Sequence, residues 1–576
     1  MQEKSSLHLL QCYPQYWVHA FGMEHAFSWC AWGLPFGTFT EHHRGGLKLK
    51  YDVVILGAGH NGLVAAAYLA RAGLSVLLLE KRNYLGGAAT SQRLFPNYDA
   101  QLSRYAYLVS LLPEKIIREL GLNLELRTRA IASFTPYLRN GVPDACLLSN
   151  LSEDPGRASL RALTGSDVEF ERLRDFYRLS HAFAGQVWDT MLEPLPAKDE
   201  LRRRFSQDEL HGEAWRSLVE EPLGCAVERY LQDDLLRGVV FTDAKIGLFT
   251  HPHDPSLLQN RCFLYHTLGN RTGEWKVPVG GMGQVAQELA RAAARHGASM
   301  MTNVRLTTLD LTGSTRTVEF EMEEQKRTVE ARFVLLNFGP NILAGLLGRP
   351  YQPDATHEGS VFKINMLLCR LPRLLAPLAD AATAFCGTFH IDEGYEQMKS
   401  SHRQASDLRL PDKLPCEVYC HTLTDDSILS PELRARDFHT LTLFALDAPW
   451  RLFHSDNENM RQIAQHRCLA GLNRWLAEPI EDCLALAHNG EPCLEAKSPV
   501  DIEEELGHFQ GNIFHGALTF PFAETPEAAG SWGVETDFPN VFFCGASARR
   551  GGGVSGIPGH NAAMKVLETI QAAKSG

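Results

Sequence analysis

An apolar run over residues 51–56 stops at Gly57-Ala58-Gly59-His60-Asn61-Gly62, and an alanine-rich stretch over residues 63–72 then carries on to Gly73. This pattern predicts a buried strand, a glycine turn and a helix, and a second apolar strand over 75–79 ends on Glu80. Further along, residues 283–296 have the period of an amphipathic helix closed by Gly297, and 298–304 reads as a strand. Val318, Phe320 and Met322 alternate with Thr317, Glu319, Glu321 and Glu323, which predicts a half-exposed strand, a turn near Gln325 and a buried run over 333–336. Near the end, 540–544 reads as a short buried strand and 561–573 as a helix.

Two long insertions separate these segments. Residues 128–272 are dominated by helical patterns with charged faces, such as 166–191 and 206–231. Residues 349–536 mix strands (361–370 and 440–446) with helices such as 457–476. A substrate domain built from two discontinuous pieces fits this spacing.

The strand–turn–helix unit carries a specific chemistry. Gly57 permits the tight turn, Gly59 lets the backbone approach a pyrophosphate, and Gly62 lets the helix pack close to the strand. Free N–H groups at the helix N-terminus then face the phosphate charge. Glu80, at the end of the next strand, is placed to accept hydrogen bonds from a ribose hydroxyl. A second glycine pair, Gly86-Gly87, precedes Ala88-Ala89-Thr90 and suits a backbone that passes close to another part of an extended cofactor. A third cluster follows the strand at 540–544: Gly545-Ala546, then Arg549-Arg550-Gly551-Gly552-Gly553-Val554-Ser555-Gly556 before the last helix. In a flavoenzyme such a loop can set a helix N-terminus beside the flavin pyrimidine ring, where negative charge collects on reduction.

Residues 52–62, Glu80 with Gly86-Gly87, 275–303 and 543–563 together resemble the phytoene desaturase-like branch of the FAD-dependent amine oxidase superfamily. The motifs that carry the resemblance are residues 53–63, Pro278-Val279-Gly280-Gly281-Met282-Gly283, Gly511-Asn512-Ile513-Phe514-His515 and Gly551–Gly556, in order along the chain. The resemblance implies an α/β fold: a Rossmann-type FAD-binding domain of the two-dinucleotide-binding-domain flavoprotein type, with a mixed α+β substrate domain. It divides the chain into FAD-binding segments 49–127, 273–348 and 537–576, substrate-domain segments 128–272 and 349–536, and an N-terminal extension, 1–48, expected to be poorly ordered. It implies a non-covalent FAD held by Gly57, Ala58, Gly59, Asn61, Gly62, Glu80, Lys81, Gly86, Gly87, Ala88, Val304, Gly545, Gly553 and Val554. The strands around 318–336 look like the small antiparallel sheet that covers one side of the nucleotide domain in such flavoproteins.

Two related chemistries lose their footing in the sequence. A disulfide reductase needs a short-spaced cysteine pair soon after the first glycine turn. None stands between Tyr51 and Ala145, and the close pair Cys416 and Cys420 lies far downstream. A reductase fed by a nicotinamide cofactor usually carries a second glycine fingerprint. Here the residues before Gly280-Gly281 hold a proline and two charges, a poor buried strand.

Composition fits a large enzyme: 576 residues, 44% hydrophobic and 22% charged. The net charge of −12 argues against nucleic acid. Arg202-Arg203-Arg204 is read as a solvated helix face. The 13 cysteines are scattered without framework spacing, which points to a reducing compartment: cytoplasmic, with the mitochondrial matrix as the alternative in a eukaryotic cell. No apolar run reaches the length of a transmembrane helix. The first residues, rich in aromatics and histidine, lack a secretory or transit pattern, and His42-His43 is not taken as a metal site.

The catalytic residues are less legible. Lys363 interrupts the apolar strand over 361–370, so it either snorkels at an edge or is held near a ligand. His515 could line the substrate cavity and move a proton, or serve as a structural histidine. His251 and His253 receive no role. No Ser/His/Asp triad or metal-ligand spacing stands out, so no metal is expected. The favoured activity is FAD-dependent oxidation of a hydrophobic small molecule (a polyene, isoprenoid or acyl compound) with oxygen or a quinone as acceptor. Amine oxidation or redox-neutral isomerisation on the same fold, and a non-catalytic flavin-stabilised regulatory protein, remain the alternatives. Peripheral membrane contact would serve the collection of a lipophilic substrate, though the acidic balance lends it no support.

Overall fold

The computed structural model describes residues 49–353 and 358–575. The readings made for residues 1–48, His42-His43 among them, lie outside the described residues.

Strand β1 (Leu49–Leu56) runs parallel both to β2 (Val76–Leu79) and to β3 (Gln325–Leu336). A strand flanked on both sides and covered on both faces must be apolar throughout, and Val53 to Leu56 are fully buried. Helix α1 (His60–Arg71) follows the turn and is buried along most of its length, which its small residues allow. A short strand, β4 (Val541–Phe543), pairs in parallel with the end of β3. The closing helix α2 (Ile557–Ser575) meets α1 so closely that a Cβ on Gly559 would lie 2.1 Å from the Asn61 carbonyl oxygen. The sheet order is Arg305–Asp310, Arg316–Met322, β3, β1, β2, Ser299–Met301. Three separate stretches of chain thus build one sheet.

Two expectations are corrected here. The strands at 305–310 and 316–322 do not form a separate small sheet. They hydrogen-bond into the main one, because β3 pairs with Arg316–Met322 through its first half and with β1 through its second, the two overlapping at 329–331. The strand expected over 298–304 ends at Met301, since Asn303 adopts a left-handed backbone (φ 57°) before Arg305–Asp310 begins.

The second seven-stranded sheet has the order Leu494–Lys497, Ser360–Leu368, His439–Pro449, Cys416–Tyr419, Thr388–Ile391, Ile131–Arg139, Val142–Ser149. Ser360–Leu368 is buried at every position, and one face of this sheet packs on a core that includes Phe362, Ile364, Phe389, Val418 and Leu443. The first insertion was expected to be helical, yet it opens with the hairpin Ile131–Arg139/Val142–Ser149. Pro136 and Pro143 obscure its strand pattern; Pro143 is tolerated on the edge strand, and Pro136 because it lies beyond Ser133 and Phe134, the residues that pair with Thr388–Ile391. Its helices follow, including Val168–Val187. The single helix expected over 206–231 is broken at Glu221-Pro222, where the residue before proline turns extended (ψ 153°). Among the described residues, no helix is long and apolar enough to cross a membrane.

Candidate active site

The turn after β1 is built by backbone. Gly57 takes φ 103° and donates its N–H to the Leu79 carbonyl at 2.8 Å, tying the turn to β2. A Cβ on Gly62 would stand 2.4 Å from the Gly57 carbonyl oxygen, so only glycine lets α1 start this close to the strand. Gly59 begins α1 without a side-chain cap and without an acid in the first turn, which leaves its N–H groups free for an anion. Gly86 donates to the Ala58 carbonyl at 2.8 Å and brings Gly87 against Gly59.

Glu80 closes this arrangement. Its carboxylate accepts from the N–H of Ala58 at 2.7 Å and of Arg82 at 2.9 Å, and its carbonyl accepts from Val304 N–H at 2.9 Å. The side chain of Asn337, directly after β3, donates to the carbonyls of Gly57 at 3.0 Å and Gly59 at 3.3 Å. A cavity of about 320 Å³ results, walled by Gly57, Gly59, Asn61, Glu80, Lys81, Gly87, Ala88, Val304 and Asn337. Ala58 and Gly62 lie beneath it in the turn, Gly86 beside it, and Gly545 backs onto Asn337. Asn337 was not singled out from the sequence. Its position at the carboxyl end of a parallel strand, where ligands of open α/β sheets sit, is the signal that marks it.

A second cavity, of about 340 Å³, opens between the second sheet and the helices that cover it, and is also lined by Gly553 and Val554. His60, Ala88, Leu506, His508, His515 and Ala546 face both cavities. At this junction the rings of His508 and His515 are 3.8 Å apart, and His515 sits at φ 61°. His60 Nε2, His508 Nδ1 and His515 Nδ1 are buried without a hydrogen-bond partner. Burial pushes His60 and His515 down to about 4, and His508 also falls well below the ordinary range, so all three rings are neutral near pH 7. His60 and His508 were missed in the sequence. The first hides inside the glycine motif, and the second is brought to the site only by folding.

Lys363 lies on a central strand with 3% exposure, which excludes snorkelling. Its ammonium donates to the Tyr105 carbonyl and, at 3.3 Å, to the Ser103 carbonyl, and it sits 4.7 Å above the Tyr107 ring. Burial pushes its pKa down to about 7. It lines the second cavity, as His515 does.

The far wall of that cavity holds a polar cluster that no sequence motif announced. Arg129 donates to Thr388 Oγ1 at 3.1 Å and lies 5.4 Å over the Tyr419 ring. The Tyr419 hydroxyl donates to Glu417 at 2.6 Å, and His390 Nδ1 is hydrogen-bonded to Glu393. Burial raises Glu417 to about 8 and Asp243 to about 6. The available signal was polar residues at every second position of otherwise apolar strands: Thr388 with His390, and Glu417 with Tyr419.

Together the dinucleotide turn and the cavity adjoining it define a flavoprotein oxidoreductase. Residues 62–373 match the family model of flavin-containing amine oxidoreductases. An uncharacterized protein of Mycobacterium tuberculosis is 44% identical over 92% of this chain and 98% of its own length. The rat pyridine nucleotide-disulfide oxidoreductase domain-containing protein 2 is 28% identical over 92% of this chain and 95% of its length. A solved variant of putrescine oxidase shares the fold with a TM-score of 0.54 at 18% identity, covering 92% of this chain and 100% of that one. The chain belongs to the flavin-containing amine oxidoreductase family and is an FAD-dependent oxidoreductase.

The residues present fit FAD. α1 presents uncapped N–H groups to the first cavity, and along its wall His60 Nε2 and Asn61 Oδ1 are buried without a hydrogen-bond partner.

Proposed function

We propose that this enzyme oxidises a small molecule with an apolar body and a polar head group, with oxygen or a quinone as the terminal electron acceptor. The observation that carries this reading is the shared wall of the two cavities. His60, His508, His515 and Ala546 bound both the dinucleotide site and a mainly apolar chamber, so a substrate there would abut the end of the cofactor. In this reading Gly57, Gly59 and the N-terminus of α1 would hold the pyrophosphate of FAD, and Glu80 would hold its ribose. When bound, FAD would supply a two-electron oxidant able to accept a hydride from a substrate C–H bond.

The chain's own residues do the rest. Apolar side chains such as Leu108, Ile246, Val361 and Phe444 hold the body and exclude water. Arg129, Asp243 and Glu417 hold the polar head at the far end. The proton released from the neighbouring bond goes to His515, whose unpartnered Nδ1 can accept it.

The test mixes the yellow holoprotein anaerobically with lipophilic candidates of each class, alongside mass spectrometry of co-purifying ligands. Bleaching by apolar molecules with polar heads supports the reading. Bound FAD that no candidate class bleaches removes it.

A further inference from the structure

The far wall of the substrate cavity gathers three buried carboxyl groups and a buried histidine. Glu393 and Glu417 are each 2% exposed and His390 is 4% exposed. One potential ligand atom from each of the three lies within 4.8 Å of the others. Asp243 shares this neighbourhood and lines the cavity with His390 and Glu417. The cation within the cluster is Arg129, which directs its hydrogen bonds to Thr388 Oγ1 and the Trp275 carbonyl and, among the described residues, makes no ion pair within 4 Å. A second observation points to a ligand there: Glu393 Oε1 is fully buried with no hydrogen-bond partner, although its other oxygen is bonded to His390.

We infer that His390, Glu393 and Glu417 form a divalent metal site in the wall of the substrate cavity, with a coordination position open to the cavity. The sequence pointed to no metal, because the donors come from two strands and a following turn. Imidazole with two carboxylates is a donor set suited to Zn²⁺, Mn²⁺ or Fe²⁺ rather than to soft thiophilic ions.

The geometry needs only side-chain adjustment. Neighbouring ligands of an ion bonded at ~2.1 Å stand ~3–3.5 Å apart, so rotamer shifts of about an ångström from the present arrangement close the site. The ion would replace the proton now shared between His390 and Glu393. Tyr419, donating to Glu417 at 2.6 Å, holds that carboxylate in orientation, as outer-shell partners of metal ligands do. An ion so placed offers a docking point for an oxygen- or nitrogen-bearing head group.

The experiment uses the full-length, FAD-loaded protein, stripped with a chelator and titrated calorimetrically with Zn²⁺, Mn²⁺ and Co²⁺. Elemental analysis of the undepleted protein accompanies the titration. Binding of one equivalent per chain is expected, weakened at least ~10-fold in His390→Ala and in Glu417→Gln. Flavin content and circular dichroism show whether each variant is folded, and Glu417→Asp, which keeps the carboxylate, retains part of the affinity. Absence of stoichiometric binding overturns the inference. So does binding that neither substitution weakens, or a cluster that takes up alkylammonium ions and no metal. None of these readouts depends on turnover, so the site stands or falls apart from the proposed oxidation.

Discussion

Asn337 Nδ2 donates to the Gly57 carbonyl oxygen at 3.0 Å, joining positions 280 residues apart. The same nitrogen reaches the Gly59 carbonyl at 3.3 Å, so one side chain from the end of β3 holds the shape of the glycine turn after β1. The motif is therefore not self-sufficient.

Removing this clasp tests the point. Asn337→Ala should lower stability by about 1–2 kcal/mol through two lost hydrogen bonds. It should also weaken FAD retention about 10-fold, read from flavin content after dialysis and from the thermal midpoint. Full flavin content at unchanged stability would show that the turn stands without Asn337.

Two glycines should respond in opposite directions. Gly62→Ala drives a methyl to 2.4 Å from the Gly57 carbonyl and should cost about 1–3 kcal/mol along with flavin binding. Gly185 lies on the exposed side of the helix Val168–Val187, with nothing within 4 Å of the point a Cβ would occupy. Gly185→Ala should therefore raise stability by about 0.5–1 kcal/mol. Denaturant midpoints of the two variants decide both.

Lys363 makes stability depend on pH. Its pKa falls from 10.5 in the unfolded chain to about 7 in the folded protein because burial disfavours the charged form. Between these values the unfolded state binds more protons, so stability rises with pH from about 7 to 10.5 and is lowest below 7, where the buried amine is charged. Lys363→Met should remove that rise. Parallel wild-type and variant curves of urea midpoint, followed from about pH 6.5 to about pH 9.5, would contradict the assignment.

Lys245 and Asp447 form a buried pair at 2.7 Å, with exposures of 1% and 0%. Asp447→Ala leaves the ammonium with the Thr250 carbonyl as its remaining partner and should cost about 3–5 kcal/mol. The double variant Lys245→Met/Asp447→Asn should recover part of this loss in equilibrium unfolding. Additive losses would mean that the two residues act independently.

Much of the nucleotide-binding half was legible because its signals are local. Residues 51–62 read as strand, turn and helix from apolar runs and glycines alone, and the strand at β4 and helix at α2 were placed within a few residues. The antiparallel strands at 305–322 were also visible, but their membership in the main sheet was not. That depends on β3 running on past the hairpin to lie beside β1, a pairing between distant segments. The edge hairpin at 131–149 escaped notice because its prolines mimic a loop.

The chain's one-dimensional pattern determined the strand, glycine turn and helix over residues 51–71, since glycine positions and apolar periodicity act over a few residues. It also placed Lys363 inside an apolar strand and His515 in a motif. Only the tertiary structure decided what those residues face. It set His60, His508 and His515 at the junction of two cavities, and His390, Glu393, Glu417, Asp243 and Arg129 along one buried wall. The physical reason is that burial and charge are properties of neighbours in space. A carboxylate on an alternating strand is ordinary in sequence and costly once helices close over that face of the sheet.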